Sequence, residues 1–426
     1  MKIACSLAVL LFSLASTASA VAQDPQAVID RVLSNAAVRS AQQFVDSDHE
    51  RIIREIIALN EVPAPPFKEA ERARAFATML GDSGLSNVEI DPEGNVLALR
   101  KGTGTGPLVA IAAHLDTVFP EGTDVTVRRE GNRLFAPGVG DNTRGLAILL
   151  AIVRALDSAQ IQTASDILFI GNVGEEGPGD LRGVRYLFQK GKYKDRIRMF
   201  LSIDGAGSGS DIVNGALGSR RYHVVFTGPG GHSYGAFGMV NPAYAMAKAI
   251  DRLSRIPVPS SPRTTYNVGL IGGGTSVNSI PNEVWMDVDI RSESPQQLNK
   301  LSDEFIKQVR AAVDEENRTR SSNQGKISVD AKVIGERPSG ITPADSVIAR
   351  TAAAAAVKFG LYPMFTTGST DSNLPISLGV PALTLDSGGS GGRAHALDEW
   401  INVEKNGSVR GINLIMTTLL ALAGTP

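Results

Sequence analysis

The 426-residue chain predicts an α/β fold: a mostly parallel mixed sheet sandwiched by helices, interrupted by an inserted α+β unit. Three observations predict it. Residues 108–113, 167–170, 199–203 and 382–385 are apolar without alternation, as strands buried on both faces are. Residues 144–156 lie between the first two runs and repeat apolar side chains at helical spacing, which suits a crossover connection. From about residue 216 to 335 the strands instead alternate, with one wet face, and two helical stretches accompany them.

Taken in order, the chain opens on an address label. Lys2 is followed by an apolar stretch at 8–14 and by Ala18-Ser19-Ala20, the small-x-small pattern of a signal peptidase site. Residues 1–20 therefore read as a secretory signal, with an uncleaved N-terminal anchor as the alternative. The stretch is short for a bilayer span, and no later segment offers a long uncharged apolar run. The only cysteine, Cys5, falls inside this signal. An exported mature chain would hold together by its core rather than by disulfides, and any metal site in it must use His, Asp and Glu. The formal net charge is −2, with basic residues dispersed, so nothing calls for nucleic acid or insertion into a membrane.

Residues 24–80 read as helical, most clearly at 48–59, where Ile52, Ile53, Ile56 and Ile57 share a face, and at 69–80. The apolar strands and the 144–156 helix then build the first part of an α/β domain at 21–215. The inserted unit, 216–335, has strands at 221–226, 265–271 and 284–290 and helices at 241–253 and 298–314. The α/β pattern resumes over 336–426, where the alanine-rich 351–357 reads as a packed helix.

The polar residues stand where ligands bind in open α/β sheets, just past the C-terminal ends of strands or at helix entrances. His114-Leu115-Asp116 follows the first apolar run, Glu175-Glu176 the second and Asp204 the third; His395 comes after the fourth, and Asp141 precedes the 144–156 helix. Singly, each has a plain structural reading: a surface pair, a solvated face, a helix N-cap at Asp141. The recurrence at strand ends is what those readings leave unexplained. So many carboxylates buried together would be strongly unfavourable without a cation to neutralise them.

The motifs His114-Leu115-Asp116-Thr117-Val118, Gly138-Val139-Gly140-Asp141-Asn142, Gly174-Glu175-Glu176-Gly177 and Ser202-Ile203-Asp204-Gly205 resemble those of one di-zinc metallopeptidase family. Its members include glutamate carboxypeptidase, peptidase T, carnosinase-like dipeptidases, aminoacylase, acetylornithine deacetylase and succinyl-diaminopimelate desuccinylase. Gly230-Gly231-His232-Ser233, Asn278-Ser279-Ile280-Pro281 and His395-Ala396-Leu397-Asp398-Glu399-Trp400 match in the same order. The resemblance runs from about residue 48 to the C-terminus. It implies two Zn ions per subunit, for which cobalt or manganese can substitute: Asp141 bridging, His114 and Asp204 on one ion, Glu176 and His395 on the other. It also implies Glu175 as general base toward a metal-activated hydroxide, and Asp116 as the partner that orients His114. His232 becomes an oxyanion donor reaching across a homodimer from the inserted unit, which acts as lid and dimerisation domain; Asn278 and Arg291 become substrate contacts.

His49 and His223 lie outside any motif and read as structural or solvent-exposed. Gly368-Ser369-Thr370-Asp371 departs from the Gly-Gly-Thr-Asp turn of relatives, with Ser369 in place of a glycine, and the glycine-rich 387–393 reads as a mobile rim. Residues 102–106 only loosely resemble a phosphate loop, having no strand before and no helix after. The expected function is a secreted exopeptidase acting on small peptides. The alternative is an N-acyl amino acid deacylase, and a more distant one a metal-free binding relative.

Overall fold

Every residue of the strands Leu108–His114, Ile167–Asn172 and Ala382–Leu385 is buried. A computed structural model, which describes residues 24–425 except residue 105, sets them at the centre of a nine-stranded mixed sheet. The signal reading over residues 1–20 lies outside the described residues. The strand order is Val88–Ile90, Val96–Arg100, Ile167–Asn172, Leu108–His114, Ile197–Ile203, Ala382–Leu385, Asp211–Ala216 and Gly340–Ile341, with Met364–Gly368 also paired to Asp211–Ala216. From Ile167–Asn172 across to Ala382–Leu385 all neighbours are parallel. Beyond those four strands Val96–Arg100 and Asp211–Ala216 join antiparallel, while Met364–Gly368 pairs parallel with Asp211–Ala216, so the sheet is mixed, as expected, with a parallel centre.

Alternation along one central strand explains the sandwich. Val109, Ile111 and Ala113 face one apolar core, which the helices Ala36–Ser47, His49–Asn60, Arg144–Ser158 and Lys405–Ala423 complete. Leu108, Ala110 and Ala112 face a second core, closed by Leu181, Val184 and Leu187. No helix among the described residues is long and apolar enough to cross a membrane.

The segment between Gly218 and Arg337 builds its own layers. Four antiparallel strands run in the order Thr264–Gly273, Glu283–Ser292, Gly218–Thr227 and Ser328–Arg337. Glu283–Ser292 buries every second residue from Val284 to Ser292, against the helices Pro242–Ser254 and Pro295–Thr319. The first of these helices starts where the Asn241 side chain accepts from the Ala243 N–H, with Pro242 in the first turn. Ser328–Arg337 is an exposed edge strand with weak alternation, which is why its sequence gives no strand signal.

A third, small sheet orders Ser390–Gly392, Trp400–Asn402, Arg133–Phe135 and Arg128–Glu130. Much of the glycine-rich run expected to be a mobile rim is therefore a paired strand, its other end held by a 2.8 Å bond from Ser387 N–H to Gly205 carbonyl.

Arg72 is fully buried and ties the edge of the central sheet to the preceding helices. Its guanidinium donates to the carbonyls of Val62 at 2.8 Å, Leu115 at 2.9 Å and Asn60 at 3.2 Å. Replacing Arg72→Met strands two buried carbonyls and a half-buried one, and denaturant unfolding should record a loss of about 3 kcal/mol. A loss below about 1 kcal/mol would show that water satisfies those carbonyls as well as Arg72 does.

Candidate active site

The central strands end side by side, and the polar residues sit at those ends. His114 is the last residue of its strand, Asp204 follows Ile203 directly, and Glu175-Glu176 leave the turn after Asn172. The His114 Nδ1 lies 3.0 Å from the Asp116 carbonyl oxygen. That bond fixes the ring so that Nε2 faces the acids, 2.9 Å from Asp141 Oδ1 and 3.6 Å from Asp204 Oδ1. On the far side of Asp141, His395 Nε2 lies 3.2 Å from Oδ2 and 2.9 Å from Glu176 Oε1. Asp141 thus turns one oxygen toward each imidazole.

The electrostatics follow from crowding. Burial pushes the carboxyls of Glu176 and Asp204 up, and that of Glu175 well above the usual range. Burial works against ionised Asp141 too, but hydrogen bonds from His114 and His395 outweigh it and hold the group below its ordinary value. His395 is raised to about 10 by its bonds to Asp141 and Glu176. For His114, burial opposes the charge, yet Asp141 and Asp204 raise it well above its usual range. Acids that can be ionised only against imidazolium are a set that divalent cations would stabilise. The ligand atoms of His114, Asp141 and Glu176 lie within 4.8 Å of one another, and the donors are imidazole and carboxylate without thiolate. This set fits one or two ions of the zinc, cobalt or manganese kind.

Asp116, expected to orient His114, meets the ring through its carbonyl, while its carboxylate Oδ1 lies 3.7 Å from Nδ1. The carboxylate accepts instead from the Glu175 N–H at 3.0 Å and the Glu176 N–H at 2.8 Å. Two main-chain donors from the turn outcompete one imidazole, so Asp116 reaches His114 through its carbonyl and grips the turn with its side chain.

Several residues joined to this cluster carried no assigned role in the sequence reading. Arg337, buried, donates from Nη1 to Glu175 Oε1 at 2.8 Å and to Ser369 Oγ at 3.0 Å, and from Nη2 to the Glu175 carbonyl. It comes from the last residue of an edge strand in the inserted sheet, and a single Arg-Pro-Ser-Gly stretch gave no signal of it. Asp371, buried without exposure, accepts from Asn172 Nδ2 at 2.8 Å and is pushed up to about 7 by burial. The Ser369 that replaces a glycine is therefore a partner of Arg337.

The inserted unit brings two other motifs together. Gly231-His232 pairs with Ser279-Ile280 in a two-stranded ribbon, and the Ser233 N–H donates to the Asn278 carbonyl at 2.9 Å. His232 is exposed, and its Nδ1 accepts from the Tyr234 and Gly235 N–H groups at 3.2 and 3.3 Å. Arg291 stays on the sheet, bonded at 2.7 Å to Asp289, which Arg221 also contacts. Of the two unassigned histidines, His49 is buried and His223 pairs with Asp287.

Comparison with known proteins supplies the frame. The model of peptidase family M20/M25/M40 matches residues 110–421. Succinyl-diaminopimelate desuccinylase of Leptothrix cholodnii is 26% identical over 333 residues, 75% of this chain and 84% of that protein. The aminopeptidase PepT structure from Bacillus cereus superposes with a TM-score of 0.71 at 22% identity, covering 88% of this chain and 99% of that one. Bacillus subtilis YXEP, described as a dinuclear metal-binding peptidase, gives 0.64 at 16% identity over 89% and 99% of the two chains. The chain belongs to peptidase family M20/M25/M40 and is a hydrolase of amide bonds.

Proposed function

We propose that this hydrolase is an exported di-zinc exopeptidase that cleaves a peptide bond beside a free terminus. The observation that carries the reading is the two-sided presentation of Asp141, with one oxygen toward His114 and Asp204 and the other toward His395 and Glu176. His114 and Asp204 would hold one ion, His395 and Glu176 the other, with Asp141 shared. Such ions, when bound, polarise a carbonyl and lower the pKa of water.

The chain's own groups account for the rest. Glu175 takes a proton from the attacking water and returns it to the leaving nitrogen. Arg337 aims it, holding both the carboxylate and the carbonyl of the same residue. His232, whose Nδ1 accepts from the main chain, keeps its proton on Nε2 and can donate to a developing oxyanion. Its exposed ribbon suits delivery to the site of a second subunit in a homodimer. Asn278 lies beside His232, and with Arg291 it would meet the substrate carboxylate.

Export is supported by Lys2, the apolar 8–14 stretch and Ala18-Ser19-Ala20, and by the confinement of cysteine to Cys5. The second reading, removal of an acyl group from an amino acid, is favoured by the desuccinylase relative. Hydrolysis of di- and tripeptides blocked at either end, run beside acylated amino acids, tests the choice. Turnover of acylated amino acids alone would overturn the peptidase reading.

Three outcomes are expected of the site. Asp141→Ala should lose both ions together by mass spectrometry, since both share that carboxylate; one tightly held ion per chain would make Asp141 a terminal ligand or a cap. Glu175→Ala should keep its metal content while turnover falls by ~100-fold or more. Retention of a tenth of the activity would remove Glu175 from the base role. Lastly, inactive His232→Ala and Glu175→Ala chains, mixed and exchanged, should regain up to about a quarter of wild-type activity, because half the dimers are mixed and each holds one whole site. No recovery in dimers verified by two affinity tags would place His232 in its own subunit's chemistry or outside it.

A further inference from the structure

Two segments carry the ligands on the His395 side, and two buried charged side chains tie them together. From the loop that joins the strands Ser390–Gly392 and Trp400–Asn402, Glu399 reaches the Asp141 turn: Oε2 accepts from the Gly138 N–H at 2.9 Å, and Oε1 from those of Gly140 and Asp141 at 2.7 and 2.8 Å. From the other direction, Arg144, three residues past Asp141, reaches the base of the hairpin Ser390–Gly392/Trp400–Asn402, whose connecting loop carries His395, and the helix that follows it. Its Nε donates to the Ser387 carbonyl at 3.2 Å, Nη1 to the Asn402 carbonyl at 3.4 Å and Nη2 to Ser408 Oγ at 3.1 Å. Each residue is only 2% exposed.

The backbone is shaped to admit both. A Cβ on Gly140 would stand 3.0 Å from Glu399 Oε1, and one on Gly389 would stand 3.0 Å from Arg144 Nη2, where φ is +73°. His395 itself has φ +66° and a side chain 55% exposed. A non-glycine residue in that region is strained and persists only where its surroundings over-determine it. Packing does not supply that constraint to an exposed ring; the anchored backbone on either side of it does.

We propose that Glu399 and Arg144 form a reciprocal clasp that sets the separation of Asp141 and His395, acting as positioning residues for the ion held between Asp141, Glu176 and His395. The inference rests on the metal reading above and adds two residues that touch neither substrate nor ion. The Arg144 side chain braces the base of the hairpin that carries His395 and makes none of its hydrogen bonds to the Asp141 turn, so its loss falls on one ion. Glu399 grips the turn of the shared Asp141, so its loss falls on both.

The experiment has two arms. In chelator, amide hydrogen exchange of Gly138, Gly140 and Asp141 should quicken at least tenfold in Glu399→Gln, a near-isosteric change that sets an NH₂ against N–H donors. In zinc titrations followed by equilibrium dialysis, Arg144→Lys should weaken one of the two ions by about 10–100-fold and leave the other as in wild type, the range typical when a ligand's support is removed. Glu399→Gln should weaken both. Exchange rates or affinities equal to wild type in the folded variants overturn the clasp. In Arg144→Lys a purely structural role would lower the melting temperature and keep the ratio of the two affinities, which also overturns the clasp. Should Arg144→Lys fail to fold, Glu399→Gln decides alone through its exchange rates. Failure of the unmutated chain to bind two ions counts against the metal reading, whereas the exchange arm, run without metal, still judges the clasp.

Discussion

The crowding of carboxylates at one sheet edge is the constraint from which the rest of the structure follows. Asp116, Glu175, Glu176 and Asp371 are each under 9% exposed, and Asp141 and Asp204 stand against them. Ionised groups so placed repel one another and have lost their water, so each needs a donor supplied by the fold. The donors are of three kinds: main-chain N–H groups for Asp116, the Arg337 fork and Asn172 amide for Glu175 and Asp371, and imidazoles for Asp141, Asp204 and Glu176. The acids of this cluster differ less in residue type than in what answers their charge.

Much of this was legible before the structure because it is local. Unalternating apolar runs mark buried central strands, and a polar residue immediately after such a run must stand at the strand's end; His114, Asp204 and Glu175-Glu176 are placed by that rule alone. The 144–156 helix and the 382–385 strand were read within two residues of their observed ends for the same reason. What escaped depends on contacts far apart in sequence. Arg337 meets Glu175 across 162 positions, and Glu399 meets Gly138 across 261. Arg337 has no local pattern, since an arginine before proline is an ordinary surface residue until the fold buries it; Glu399 stands in the matched 395–400 motif, but the motif does not say what its carboxylate holds. A mixed sheet was expected, but which strands run antiparallel was not legible, because direction is set by pairing, to which hydrophobic period is blind.

Asp116 shows how a motif can place a residue without fixing which of its atoms makes the contact. Spacing of two residues from His114 brings it to the imidazole, and the spacing says nothing about which oxygen makes the bond. The main-chain carbonyl takes the ring because it lies on the strand's own path, and this frees the carboxylate for the turn bearing Glu175 and Glu176. The same economy recurs in Glu399, whose two oxygens take three N–H groups from the turn bearing Asp141. Carboxylates grip the turns, and the turns carry the ligands.

The inserted unit is joined to that scheme through the strand it leaves by. Arg337 is the last residue of the edge strand Ser328–Arg337, and its neighbour Glu336 receives two contacts from the far side: its N–H donates to Asp180 Oδ1 at 3.0 Å, and its carbonyl accepts from Arg185. Arg221, in the adjacent strand, donates to the Gly177 carbonyl at 3.1 Å. The segment from Glu175 to Arg185 is therefore gripped at both its start and its end by the two strands that tether the insertion. A buried ion pair is sensitive to small displacements because either charge left alone in a dry site is strongly unfavourable. With Glu175 and Arg337 each 5% exposed at the side chain, the orientation of the acid nearest the ligands is inseparable from the position of the insertion. The site is complete only when both units of the chain are in register.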